Sequence, residues 1–356
     1  MTLTLMESIS EEEQYAGLPK GSWLTIHSVA LTVIILSMTG SSYIIFRTAK
    51  SVLASRAQSQ FPVVGILPAL LAVADFCFGL AHGLDHILSL SQGHVTTGDA
   101  CIALAFVTNI FLVAPAFISG YIAFFIWSVV VREKKPVVGA YYWRTLLWCF
   151  GGPLSLVLLQ FIVGQLGPEL TWCGSKTHTG NILFQTLEML ANIVISSVLY
   201  MSIQRKLRKH LNEVLSGDSE DAQKLEQTIR RLPSFVLVYI IQFTPWVIYT
   251  FASGGEGAPV GIIVVVVAIV NGGGVANAFA YRRLLESAEK TSRESGESHG
   301  VRSRSSTTRG KNSPSAISLE PQSIDTGSSG TTDSTCPTEN ADVLADDPEA
   351  PSGAEV

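Results

Sequence analysis

The sequence predicts an all-α membrane protein, a seven-transmembrane helix bundle with its N-terminus outside, its C-terminus inside and a disordered C-terminal tail. Three observations predict it: seven long apolar runs, Lys and Arg confined to alternate loops, and a polar segment after the last run. Of 356 residues 47% are hydrophobic and only 15% charged, and the mean hydropathy is +0.35 although a long polar tail is averaged in. The apolar residues are therefore concentrated elsewhere.

The runs fall at about 23–46, 62–90, 101–131, 144–165, 182–204, 233–252 and 258–281. Each is long enough to cross a hydrocarbon core of about 30 Å with roughly 20 helical residues. Arg47, Lys50 and Arg56 follow span one; Arg132, Lys134, Lys135 and Arg144 join spans three and four. Arg205, Lys206, Arg208, Lys209, Lys224, Arg230 and Arg231 join spans five and six. The opposite side carries only Lys20 and Lys176, so the basic loops are cytoplasmic. The net charge of −5 averages this basic inner surface with an acidic tail and gives no support to nucleic acid as a partner.

Residues 1–22 form a short extracellular segment, acidic and without the apolar core of a signal peptide. It is too small to bind a ligand alone, so binding falls to the helices and loops of residues 23–286. Between spans five and six, "RKLRKHLNEVL" and "AQKLEQTIRRL" have apolar residues at helical spacing around "SGDSED", which predicts helical extensions into the cytoplasm or, alternatively, a solvated basic loop. After Tyr281, "RRLLESAEK" predicts a short amphipathic helix on the inner leaflet. The cytoplasmic tail, 287–356, is too poor in large apolar residues to fold. Its "VRSRSSTTRGKNSPS" suits phosphorylation and, through it, kinase and arrestin-like partners; an unmodified solubilising tail is the other reading.

Two of the five cysteines, Cys101 and Cys173, face the oxidising side. A disulfide between them is predicted, two unpaired thiols at one height being the alternative. Cys77 and Cys149 read as packing residues and Cys336 as a free cytosolic thiol.

Local strings extend the reading. Span three is "CIALAFVTNIFLVAPAFISGYIAFFIWSVVV", span four runs from "WRTLLWCFGGPLSLVLL" to "TWCG", span six begins "RLPSFVLVYIIQFTPWVIY" and span seven ends "NGGGVANAFAYRR". Over roughly residues 23–286 the chain resembles the cyclic-AMP-receptor-like family of G-protein-coupled receptors, which includes fungal glucose-receptor-like members. The resemblance implies a multi-pass receptor of the plasma membrane that signals to a heterotrimeric G protein and is not an enzyme. By position, Cys101 and Cys173 match the family's outer disulfide, Asp75 its span-two aspartate and Pro245 its span-six proline. Asn277 to Tyr281 resembles the inner end of span seven. "SVVVREKK" stands where other receptors carry Asp-Arg-Tyr. Cyclic AMP is not carried over as ligand, because the outer half supplies almost no Arg or Lys for a phosphate.

Span two, "ADFCFGLAHGLDHI" from Ala74 to Ile87, carries four ionisable residues in an apolar run. At 100° per residue Asp75, Gly79, His82 and His86 share a stripe beside Asp85, opposite Cys77, Leu80, Leu84 and Leu88. Asp75 falls deep in the membrane and needs polar partners, for which Asn109, Asn271 and Asn277 are candidates. It reads either as an activation switch or as a static hydrogen-bond hub. Nearer the outer surface, His82, Asp85 and His86 line a ligand vestibule, form a water-exposed cap, or hold a metal through the histidine pair, although no third ligand is identifiable.

Glu188 either contacts ligand together with Asn192 or pairs with a histidine such as His82. This acidic, histidine-bearing cavity favours a neutral or cationic small molecule. Pro245 and the "NGGG" at Asn271 to Gly274 supply hinge points in spans six and seven. The switch set is thus Asp75, Asn109, Pro245, Asn271, Asn277 and Tyr281. The G-protein docking surface is Arg132, Lys134, Lys135, Arg205, Arg208, Arg230 and Arg231.

A transporter or channel is the alternative function, although no convincing internal repeat relates the halves. An opsin would need a span-seven lysine for its Schiff base, and residues 258–281 contain none. No paired aspartates, metal motif or Ser/His pair marks an intramembrane enzyme, and no cofactor or metal is called for.

Overall fold

The computed structural model describes residues 18–55, 63–134, 142–169, 171–214, 233–253, 259–283 and 285–286. They belong to the first of two compact units, Met1–Ser303. The predicted tail with Cys336, the second half of the loop between spans five and six, and Arg56, Lys135, Arg230 and Arg231 lie outside the described residues. So does most of the amphipathic segment after span seven.

The described chain is a seven-helix bundle. Its spans are α1 (Lys20–Ser55), α2 (Val63–Gln92), α3 (Gly98–Val130), α4 (Trp143–Ile162), α5 (His178–Lys206, helical on to Val214) and α6 (Pro233–Ser253). The seventh, α7, is the bent pair Val260–Asn271 and Gly273–Arg283. Helices satisfy every backbone group internally, which is what a solvent without hydrogen-bonding partners demands. Leu36, Leu80, Leu84, Ile195 and Ile241 point outward, whereas Asp75, Asp85, His86, Asn109 and Asn277 are buried. That inversion of the usual soluble pattern is the mark of a lipid-facing exterior.

Hydropathy places the spans well and their ends less well. α1 runs past the apolar stretch at both ends, to Lys20 and Ser55, because a helix continues into the polar headgroup layer while hydropathy registers only its greasy part. α5 begins earlier than expected, where Thr177 accepts a hydrogen bond from the backbone N–H of Gly180 at 3.0 Å and so caps the helix. Of the predicted cytoplasmic extensions, the one on α5 is present to Val214.

Two spans contain a wide π-type turn, Leu147–Gly151 in α4 and Ile182–Thr186 in α5. The first is followed by Gly152, where a Cβ would meet the ring of Phe117 on α3. Pro245 sits inside the continuous α6, removing one backbone donor.

The break in α7 is built by its glycines. The two halves of α7 meet at a 42° bend at Gly272. Immediately beyond, Gly274 donates its N–H to Ser37 Oγ of α1 at 2.8 Å. Before it, the Val270 carbonyl accepts from Gln242 Nε2 of α6 at 2.6 Å. Neighbouring helices thus take up groups that the bend releases.

Candidate functional site

Between α4 and α5 the chain folds into a small antiparallel hairpin, β1 (Leu166–Pro168) and β2 (Cys173–Ser175). Cys173 is joined to Cys101 of α3 by a disulfide with Cα atoms 5.3 Å apart. The backbone N–H of Cys173 also donates to Asp85 Oδ2 of α2 at 2.7 Å. Glu169, in the turn, accepts from Trp172 Nε1 at 3.0 Å, from the Ser175 N–H at 3.4 Å and from Asn181 Nδ2 of α5 at 2.8 Å. Burial raises the Glu169 carboxyl to about 7, the three donors opposing that shift only in part. The hairpin is therefore pinned to α2, α3 and α5 as a lid over the outer end of the bundle.

Beneath the lid is a cavity of about 30 Å³, lined from α2, α3, α5, α6 and α7 and roofed by Glu169, Trp172 and Cys173. Its apolar walls include Phe78, stacked on His82 at 5.1 Å, and Trp246, 6.1 Å from Trp172. Five buried polar atoms with no hydrogen-bond partner belong to residues that line it: His82 Nδ1, Thr108 Oγ1, Gln185 Nε2, Trp246 Nε1 and Asn271 Oδ1. Buried polar groups are nearly always paired, so five of them in the wall of one cavity mark a place suited to receive polar atoms. No Arg or Lys lines it. The volume suits one or two water-sized groups and lies far below the roughly 300–1,000 Å³ of a small-molecule site. The lid is shut.

Of the residues singled out in span two, His82 lines this cavity, while Asp85 and His86 are wholly buried and outside its lining. None is a water-exposed cap, because the hairpin and the outer part of α1 lie over them. His86 stands in the middle of a three-ring chain: its Nδ1 is 2.6 Å from His27 Nδ1 of α1 and its Nε2 is 3.1 Å from His82 Nε2. With three neutral rings both bonds must run in one direction, so a reversal of one tautomer reverses the other. Both nitrogens of His86 are thereby used. Among the described residues no group of three His, Cys, Asp or Glu is arranged to hold a metal.

Deeper in, Asp75 Oδ2 accepts from Asn277 Nδ2 at 2.7 Å, tying α2 to the inner half of α7. Asn109 and Asn271 do not reach Asp75. Asn109 donates to Gln160 of α4 at 3.3 Å and Asn271 to the Val267 carbonyl of its own helix at 2.8 Å; both line the outer cavity instead. Tyr281 is 3.1 Å from Thr48 Oγ1 across the α1–α7 contact.

Glu188 and Asn192 are not part of the outer cavity, and Glu188 does not pair with His82. They line a separate groove of about 710 Å³ between α3, α4 and α5 that runs toward Arg132, Lys134 and Arg144. Asn192 donates to the Ala116 carbonyl and accepts from Ser196 at 3.0 Å. Gly120 makes room for this contact, since a Cβ there would meet the Asn192 amide. Glu188 Oε2 is buried without a partner. Of the remaining cytoplasmic cations, Arg205 is exposed, and Arg208 lies on the extension of α5.

The tryptophans of the cavity, Trp172 and Trp246, went unnoticed in the sequence although both neighbour residues that stood out, Cys173 and Pro245. An aromatic beside the outer cysteine and another after the span-six proline was the available signal.

Among solved structures the chain is similar to squid rhodopsin, with a TM-score of 0.61 and 16% sequence identity over 77% of this chain and 81% of that one. The two share a fold. No protein-family model and no curated protein matches the sequence.

Proposed function

We propose that this protein is a G-protein-coupled receptor that transduces an extracellular small-molecule signal to a heterotrimeric G protein, and that it belongs with the cyclic-AMP-receptor-like receptors. The reading rests above all on the five unpartnered polar atoms carried by residues that line one cavity beneath a tethered lid. They suit a small polar ligand with both donors and acceptors; Glu169 adds a preference for neutral or cationic over anionic ones, and the lack of lining cations removes phosphates. Ligand entry widens the cavity by lifting Trp172 and the hairpin away from Trp246.

The signal then travels along α6 and α7, whose hinge points are Pro245 and the bend at Gly272. Asp75, Asn277 and Tyr281 form the polar contacts that rearrange, while Asn109 and Asn271 belong to the switch as part of the cavity wall. At the inner end Arg132, Lys134, Lys135, Arg205, Arg208, Arg230 and Arg231 meet the G protein. Kinase and arrestin-like partners act on the tail, and the site of action is the plasma membrane. A fold shared with rhodopsin supports the receptor reading, while α7 carries no lysine for a retinal Schiff base.

The experiment is a G-protein dissociation readout in cells expressing the chain, challenged with a library of small polar molecules. An agonist whose effect is lost on His82→Phe and Gln185→Leu supports the reading. Substrate-dependent current without coupling would replace it with the transporter or channel.

A further inference from the structure

The groove between α3, α4 and α5 stands apart from the outer cavity, and its walls change character along its length. Near the middle of the membrane it holds Glu188, Asn192 and Phe117; then follow Phe124 and Leu199; at the cytoplasmic end stand Arg132, Lys134 and Arg144. From Phe117 to Arg132 a helix rises about 22 Å. Half a bilayer with its headgroups is about 20 Å. The groove thus extends from the membrane middle to the inner headgroup layer.

The three cations are placed for a ligand. Among the described residues the nearby acid, Glu133, is taken by Lys206 at 3.2 Å. Arg132 lies over the Trp127 ring at 5.5 Å and Arg144 over Trp143 at 5.3 Å, which sets both guanidinium groups at the level of an interfacial aromatic belt. Lys134 is held at the end of α3 by its N–H, which donates to the Ser128 carbonyl at 3.0 Å. Inner-side cations are expected of any membrane protein, but that expectation scatters them over all loops. Here three rim the open end of one apolar groove.

We propose that this groove is a binding site for one anionic phospholipid of the inner leaflet. Its phosphate is held by Arg132, Lys134 and Arg144 through charge-assisted hydrogen bonds. One acyl chain lies along α3 and α5 beside Trp148, and the polar pair Glu188 and Asn192 closes the deep end. The lipid bridges α3, α4 and α5 along a groove that no other described helix lines.

Trp148 reports the acyl chain. The full chain is placed in vesicles of unlabelled phosphatidylcholine containing a minor fraction of either chain-brominated phosphatidylserine or chain-brominated phosphatidylcholine. The Trp148 contribution to fluorescence is taken as the difference from Trp148→Phe. The expected result is severalfold stronger quenching of that contribution by the anionic lipid. The preference disappears in Arg132→Gln/Lys134→Gln/Arg144→Gln and survives in Arg132→Lys/Arg144→Lys, which keeps the charge. Equal quenching by the two lipids in the unmutated protein, or a preference that persists in the triple variant, overturns the proposal. Because no G protein or agonist enters the measurement, its outcome is independent of the receptor reading.

Discussion

Glu169 is the residue whose chemistry the outer loops expose to measurement. Its carboxyl titrates near 7 in the folded protein against an ordinary value of 4.5. Between those values the folded state keeps a proton that the unfolded chain has released, so stability must fall as pH rises through this window. Thermal unfolding in detergent is expected to show a melting temperature that declines from pH 5 to about pH 8, with that decline reduced in Glu169→Gln. An unchanged pH profile in the variant would remove Glu169 as the cause.

The Asp75–Asn277 bond offers a second single-residue test. Asn277→Ala leaves a buried carboxyl without its donor, and a loss of about 1–3 kcal/mol is expected from unfolding measurements. Asp75→Asn retains a hydrogen-bonding partner and costs less. The sequence located Asp75 by depth and face, and the need for a partner followed from burial. Which of three asparagines supplied it was not legible, because helical geometry within one span says nothing about the rotation of its neighbours. For the same reason the sequence leaves Glu188 open between a ligand contact beside Asn192 and a pairing with His82. The structure assigns them to two cavities.

Among the elements, the seven spans were readable because twenty apolar residues in a row leave few alternatives in water or lipid. The lid was not. Strands of three residues, "LGP" and "CGS", rich in Gly and Pro, have no alternating pattern, and so short a hairpin depends on the disulfide and on the bonds that tie it to Asp85 and Asn181. α7 was half legible, its glycines suggesting a break without revealing why the break is tolerated. The reason is contact with α1: a Cβ at Gly40 would come within 2.6 Å of the Gly274 carbonyl, and one at Gly274 within 2.3 Å of the Ser37 carbonyl. Backbone meets backbone there, and small residues are required. Gly274→Val is therefore expected to push α1 from α7 and to lower the folded yield sharply, seen as loss of the monodisperse peak in size-exclusion chromatography. Gly261→Ala, at an open position of the same helix, is the control and should be nearly neutral.

Across the whole molecule the disulfide divides the bundle into an outer part that depends on the lid and an inner part that does not. Cys173 holds the lid to α3, and its N–H holds it to Asp85, which sits beside the His27–His86–His82 chain. The inner part has its own ties, Asp75 to Asn277 and Tyr281 to Thr48, and a core around Leu71, Ile118, Ile122 and Phe235. A cross-link closing a sequence separation of 72 residues contributes about 2–5 kcal/mol. Cys101→Ser/Cys173→Ser should therefore lower the melting temperature, but unevenly. Hydrogen exchange should accelerate first in residues 166–175 and at the outer ends of α2 and α3, while amides around Asp75 and Asn277 keep their protection. Uniform acceleration through both halves would mean that the bundle opens as one unit, and that the lid is a structural strap rather than an independently mobile cover.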